Sequence, residues 1–311
     1  MKSGGMIAGG LFVAGNQSIG ASILPPSHTD LPEAGTFDFI FFTDTHIQPE
    51  LDAARGCGMC FAKIKAQKAD FAIQGGDHVF DASAVGSSRA HSLYSLYKDT
   101  EKSIDIPIHH VIGNHDIFGV YERSGVPLTE PGQGKTLYTE LMGKTYYSFD
   151  HKGYHFIVLD SIQLTSDRSW EALIDPEQKA WLKADLEALP KGMPVIVTVH
   201  CPLVMGALMY GKQDLHHPPA YQEAYVSNAY EIIPMLQQFN VLGVLQGHIH
   251  INEVVTFNRI PYITAGAVSG NWWRGSHLGT PEGFMVVTLD QGKMRWRYET
   301  YGFQALAPRS L

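Results

Sequence analysis

Residues 37–46 read Phe37-Asp38-Phe39-Ile40-Phe41-Phe42-Thr43-Asp44-Thr45-His46, an almost unbroken apolar run that ends on a carboxylate and an imidazole. A strand with one wet face alternates; a strand apolar throughout is covered on both faces, as in a sheet flanked by helices. The same texture returns at residues 71–73, 106–112, 195–199 and 241–245, with helical text at 53–67, 88–103 and 228–239 between the runs. Strand and helix in alternation predict parallel pairing with right-handed crossovers. Elsewhere the text is of hairpins. Residues 146–149 and 154–159 flank a turn at 150–153, and 254–257, 262–265, 284–289 and 294–301 form an all-strand tail. Asp175-Pro176-Glu177-Gln178 opens a helix running to about Leu189, with Asp as N-cap, Pro at the first helical position and Gln178 at the reciprocal capping-box position.

Two βα halves, each followed by hairpins, predict an α/β fold with a four-layer α/β/β/α sandwich of two mixed sheets. Residues 36–302 read as one domain and 303–311 as a tail. Residues 203–227, aperiodic and containing Pro, Tyr and His, read as a loop insertion or lid, with His216 and His217 solvated. Trp170 and Trp181 read as core.

The 311 residues carry 23 Lys+Arg against 31 Asp+Glu, a net charge of −8, with 44% hydrophobic residues. A chain of this length buries about three quarters of its unfolded surface and needs no disulfide scaffold. Its apolar content excludes a disordered chain. With no run of Lys or Arg it offers no nucleic-acid surface. With no run of 18 apolar residues it offers no permanent transmembrane anchor.

Residues 1–21 outline a secretory signal: one Lys, a Gly-diluted apolar run over 6–14, then small residues at 20–22. The outline also resembles the back half of a twin-arginine export signal without its Arg pair. Residues 1–30 are accordingly expected to be a signal or a disordered N-terminal segment, and the address periplasmic or secreted, with cytoplasmic as the alternative. Three cysteines are too few to staple a secreted fold. Cys57-Gly-Met-Cys60 has redox spacing, but reads as two small apolar residues near one helix face or an occasional disulfide.

The chemistry stands at the ends of the apolar runs, where open α/β sheets place ligands. The first run delivers Asp44 and His46, the second Gly76-Asp77-His78, the third Gly113-Asn114-His115-Asp116, the fourth His200, and the fifth Gly247-His248-Ile249-His250. A lone His or Asp after a strand is ordinarily a hydrogen-bonding or capping residue; five strand ends at once point to a metal site. Asp44, His46, Asp77, Asn114, His200, His248 and His250 make seven N and O donors without a thiolate. Seven exceed the four to six that one divalent ion uses and suit two that share a carboxylate, for which Asp77 is the natural bridge. Two ions about 3.5–4 Å apart clamp the attacking and leaving oxygens of a displacement at phosphorus, and acidify the water between them into a nucleophile. Asn114, a neutral donor, leaves the site positive enough to attract phosphate.

In order and content these five blocks resemble those of the calcineurin-like metallophosphoesterases, over residues 38–250 with the strands to about Tyr301 fitting that family's second sheet. The resemblance implies hydrolysis of phosphate mono- or diesters. Asp44, His46, Asp77 and His250 would hold one ion, and Asp77, Asn114, His200 and His248 the other. It makes His115, seconded by Asp116, the catalytic group that contacts phosphate and protonates the leaving oxygen. The ions implied are Mn, Zn or Fe. Phe80 stands where the purple acid phosphatase branch has a tyrosine ligand, which argues against that branch; Asp81 follows it. His78 is open to two readings, a donor behind the ligands or plain packing.

For substrate the candidates are Asn114 and the loop Asn271-Trp272-Trp273-Arg274. Two tryptophans and an arginine can stack an organic group and fork a phosphate oxygen, or else anchor the loop. The substrate expected is a small-molecule, lipid or nucleotide phosphoester. Two other functions compete: a non-catalytic metal-binding scaffold on the same fold, against which all seven positions keep ligating types, and a binuclear hydrolase of amides or lactones, against which Asn114 and the motif order stand.

Overall fold

β1 (Phe37–Phe42) shows why the molecule is layered: Phe37, Phe39 and Phe41 point into one cluster of buried side chains, Ile40 and Phe42 into another. The computed structural model describes residues 34–207 and 221–308, the side chains of 221 and 222 excepted. The signal reading of residues 1–30, the middle of the 203–227 insertion with His216 and His217, and the end of the tail lie outside the described residues.

After β1 come α1 (Ala53–Lys65), β2 (Ala72–Gln74), α2 (Ser87–Glu101), β3 (Ile108–His110), α3 (Thr136–Met142), β4 (Tyr147–His151), β5 (Tyr154–Leu159), β6 (Ile162–Leu164) and β7 (Trp170–Ala172). The second half follows with α4 (Pro176–Ala188), β8 (Pro194–Val199), α5 (Tyr221–Ala224), α6 (Ala229–Leu236), β9 (Asn240–Gln246), β10 (Glu253–Phe257), β11 (Ile260–Thr264), β12 (Gly283–Asp290) and β13 (Lys293–Thr300). One sheet runs β13-β12-β1-β2-β3 and the other β10-β11-β9-β8-β5-β4; β6 and β7 form a separate hairpin.

Both sheets are mixed, as expected. β1, β2 and β3 are parallel, in register Phe41↔Ile73↔His109, while β12 lies antiparallel to β1 with Phe39 opposite Val287. In the second sheet β5, β8, β9 and β11 are parallel and the hairpin partners β4 and β10 close its edges. Between the sheets lies an aromatic layer in which Phe39 stacks on Phe71 at 5.2 Å and meets Phe156 edge-on at 5.4 Å. Outside the first sheet, Ile40 and Phe42 pack with Cys57, Phe61 and Leu93 of α1 and α2. Outside the second, Ile157, Val195 and Val197 pack with Leu182 and Leu186 of α4 and Ile232 of α6. Each fully buried aliphatic or aromatic side chain in these layers contributes about 1.5–3 kcal/mol.

The start of α4 matches two of its three sequence signals: Asp175 accepts from the backbone N–H of Gln178 at 2.8 Å and Pro176 is the first helical residue, but the Gln178 side chain, expected to reach back to Asp175, bonds the backbone N–H and carbonyl of Asp160 instead, both at 2.8 Å. Cys57 and Cys60 are free thiols buried on α1, their pKa values pushed up by burial, in keeping with the apolar reading. Among the described residues no helix is long and apolar enough to cross a membrane.

Candidate metal centre

The parallel strands of both sheets end along one edge, and the loops leaving them continue the ladder. The amides of Asp44 and His46 donate to the carbonyls of Gly76 and Asp77 at 2.9 and 3.1 Å, and Gly247 donates to His200 at 3.0 Å. Val268 and Ser269 donate back to the carbonyls of Thr43 and Asp44 at 3.0 and 3.1 Å. Loops joined in this way turn their side chains into a common space only through unusual backbone. Asp44, His46, Asp77, His248 and His250 all have φ between +40° and +75°. Left-handed backbone in residues other than glycine costs of order 1–3 kcal/mol each and persists where the surroundings enforce it, most often at functional sites.

Three groups of donors result, the ligand atoms within each lying within 4.8 Å of one another: His46, Asp77 and His115 make a group that overlaps two outer ones, Asp44, His46 and His250 on one side and Asp77, His200 and His248 on the other. Oδ2 of Asp77 stands between the outer two, 3.5 Å from Nε2 of His46 and 3.2 Å from Nε2 of His200. Oδ1 of Asn114 lies 3.2 Å from the same His200 nitrogen. Close approach here depends on glycine. A Cβ on Gly76, whose φ is +105°, would overlap the His200 ring, and one on Gly113 would overlap the Asp77 carboxylate.

The donor set fits divalent cations. The Nδ1 atoms of His200 and His250 donate to the carbonyls of Gly75 and Gly270 at 2.8 and 2.6 Å, an orientation that points Nε2 of each ring inward as the atom a cation would meet. That of His250 faces Nε2 of His46 at 3.0 Å and Oδ1 of Asp44 at 3.3 Å, and this buried oxygen has no hydrogen-bond partner. The lone pairs converge on space without a proton to share, an arrangement that a cation relieves. The titration behaviour agrees. Burial pulls His200 down, but the carboxylates of Asp77 and Asp44 outweigh it and lift the ring to about 9. Burial wins at His46, held down to about 3, and, helped by His200, at His248, held down to about 4. Burial raises both carboxyls, yet the facing imidazoles hold Asp44 and Asp77 well below the usual range.

His115 sits at the edge of the centre. Its backbone N–H donates to Oδ1 of Asp77 at 2.8 Å, its ring meets His46 edge-on at 4.8 Å, and its buried Nδ1 has no partner. It also lines a cleft of about 710 Å³ that opens beside the centre, walled by Leu51, Phe80 and Trp272 with Gln48, Asn271 and Arg274. The Trp272 ring stands 4.6 Å from that of His250.

Two expected residues stand elsewhere. Asp116, expected beside His115 in catalysis, is fully buried, and its carboxylate is taken up by the amides of Asp77, His78 and Gly113, each at 2.9 Å. It ties the Asp77 loop to the Asn114 loop and does not reach the cleft. Trp273, expected to touch substrate, is also fully buried. Its ring fills the space over Gly56, meets Phe303 edge-on at 5.1 Å, and donates from Nε1 to the carbonyl of His46 at 3.0 Å. It is the loop's anchor, while Trp272 and Arg274 face the cleft. Trp170 is buried as expected, with His248 edge-on at 6.0 Å; Trp181 is only half-buried, against Tyr146.

Sequence reasoning left one set of residues unused. His78 bonds Oδ2 of Asp116 through Nδ1 at 2.9 Å and Nδ1 of His110 through Nε2 at 3.0 Å; His110 in turn faces Glu101 at 3.4 Å. Both readings of His78 therefore hold: it bonds the carboxylate that ties the Asp77 and Asn114 loops together, and its buried ring packs edge-on against Tyr97 and Tyr138. The signal was the side chain next to Asp77, but its partners lie in β3 and α2 and only the fold brings them near.

Comparison with known proteins follows from this geometry. The calcineurin-like phosphoesterase family model matches residues 37–252. Purple acid phosphatase 23 of Arabidopsis thaliana is 30% identical over 180 residues, 52% of this chain, which spans about a third of that relative's length (34%). Among solved structures, a dimetal phosphatase from Danio rerio has a TM-score of 0.56 at 14% identity, covering 86% of this chain and 99% of that one. GAP50, the anchor in the inner membrane complex of Plasmodium, has a TM-score of 0.53 at 18% identity, covering 89% and 90%. These two likenesses are of fold.

Proposed function

The chain belongs to the calcineurin-like phosphoesterases, hydrolases acting on phosphoric esters, and from that premise we propose that two divalent ions sharing Asp77 serve the hydrolysis of phosphate mono- or diesters in this cleft. The observation that supports it best is the place of Asp77 Oδ2, within 3.5 Å of an imidazole from each donor group. Asp44, His46 and His250 would hold one ion, and Asn114, His200 and His248 the other, with N and O donors suited to Mn, Zn or Fe. When bound, such ions neutralise charge on the phosphoryl oxygens and acidify the water that attacks phosphorus.

The chain's own groups do the rest. Gly75 and Gly270 hold the His200 and His250 rings with Nε2 inward through their Nδ1–H bonds. Asp116 fixes the spacing of the Asp77 and Asn114 loops through backbone amides. His115, held by its own amide on Asp77 and free at Nδ1, protonates the oxygen that leaves toward the cleft. Phe80 has no phenol oxygen, so the tyrosine ligand of the purple acid phosphatase branch has no counterpart despite the sequence relationship.

Release of p-nitrophenol from mono- and bis-p-nitrophenyl phosphate, with metal analysis before and after EDTA, tests this reading. Two equivalents of metal and EDTA-sensitive release are expected. His115→Ala keeps the metal and loses about 10²–10⁴ in rate, most for poor leaving groups. No metal-dependent release from either ester would instead favour the non-catalytic scaffold alternative. Export directed by residues 1–21 belongs to the same proposal, and fractionation of cells producing the full chain checks it.

A further inference from the structure

The cleft beside the centre is chemically selective in a way that phosphoester hydrolysis alone does not require. Trp272 and Trp273 are consecutive bulky residues with left-handed backbone, φ +47° and +68°. The buried Trp273 holds the turn by its bond to the His46 carbonyl, and the amides of Trp273 and Arg274 close it on Ser269 and Asn271. The result keeps the Trp272 indole 36% exposed, standing beside His250 and forming a wall of the cleft with Phe80 and Leu51. A large ring held in costly backbone at the mouth of a site, one side resting on His46, His250 and His277 and the rest open to the cleft, points to a ligand.

The polar groups of the cleft narrow the choice. Among the described residues the side-chain amides of Gln48 and Asn271 have no hydrogen-bond partner, and Gln48 is only 4% exposed. An alkyl chain would leave these amides unpaired, which is costly for a buried group; the edge of a nitrogen heterocycle pairs them. The acidic groups are engaged: Glu50 pairs with Arg89 at 2.5 Å, and Asp81 accepts from Ser83 and Ala84. Arg274 has no carboxylate partner among the described residues, so it is the cation left for an anion. The volume of about 710 Å³ lies in the range of small-ligand sites.

We propose that the substrate is a phosphoester whose leaving alcohol carries a planar nitrogen heterocycle and a second anionic group, the nucleoside bisphosphate type. The heterocycle stacks on Trp272, its edge meets Gln48 and Asn271, and Arg274 takes the second anion. This rests on the phosphoesterase reading above and adds the substrate class to it.

The test compares kcat/KM of the metal-loaded protein for adenosine 3′,5′-bisphosphate, adenosine 5′-monophosphate and glycerol 3-phosphate. The monophosphate is expected to exceed glycerol phosphate by about tenfold or more, the magnitude of one base–aromatic stack. Trp272→Leu collapses that ratio and Trp272→Phe retains most of it; Arg274→Gln lowers only the ratio of bisphosphate to monophosphate. Independently of turnover, adenosine 3′,5′-bisphosphate quenches tryptophan fluorescence of the intact protein but not of Trp272→Leu, and glycerol phosphate quenches neither. Equal rates for all three esters without quenching overturn the substrate class while leaving the phosphoesterase reading in place. Quenching without hydrolysis of any ester overturns the phosphoesterase reading while the cleft assignment stands.

Discussion

Within ten residues the chain passes between two regions built on opposite terms. At Phe39 it lies in the inter-sheet layer of buried apolar side chains, where the ring is stacked and edge-packed by Phe71 and Phe156. At Asp44 and His46 it lies in a region of equal burial but left-handed backbone, an unpartnered carboxylate oxygen and imidazoles facing one another. Burial is the same, and its consequences differ in sign. In the layer it is the source of stability; at the strand ends it is a cost that the surrounding sheets sustain, and it leaves donors poised for cations. The contrast shows that the sandwich stabilises and the loops perform chemistry, with little overlap between the residues involved.

The largest expected effect breaks the second region alone. Asp77→Ala removes the oxygen shared by both donor groups, so hydrolysis falls more than about a thousandfold and bound metal drops; the metal-free protein, which also loses the pairing of Asp77 with His200, melts at a lower temperature. Steady-state rates, metal analysis and thermal melts measure these together, and a mutant with full activity would undo the shared-carboxylate picture. Phe39→Ala is the mirror case, a loss of about 3–5 kcal/mol in denaturant unfolding with the rate per folded molecule preserved. Gly76→Ala joins the two regions, because the added Cβ overlaps His200 and φ stays positive. About 10–100-fold of activity and about 1–2 kcal/mol of stability should both be lost.

The smallest effect is one of pH. His200 is raised from 6.5 to about 9 in the metal-free protein, so its protonated form stabilises the fold fully below pH 6.5, and that contribution is lost as pH climbs through 9. Metal-loaded protein has no such proton to lose. The rise in melting temperature on adding Mn should therefore widen between pH 6.5 and 9; a constant difference would show that His200 is not the group the cation replaces.

Much of this was legible in residue order. The strand ends could be read because an apolar run followed by Asp or His is visible locally, and the helix beginning at Pro176 carries its own cap. The divergence of Trp272 and Trp273 was not, since it depends on a side-chain-free space above Gly56, far away in α1. Nor was the role of Asp116, whose amide partners Asp77 and His78 lie on a neighbouring loop. The cleft is assembled from the tails of β1, β2, β3 and β11, so no single segment announces it.

Local order alone therefore determined the layers, the strand ends and the types of donor atom, because periodicity and residue chemistry act over a few neighbours. Which oxygen lies between the two donor groups, which tryptophan faces the solvent and which arginine lines the cleft were decided only by the folded chain. Those outcomes depend on distances of a few ångströms between segments tens to hundreds of residues apart.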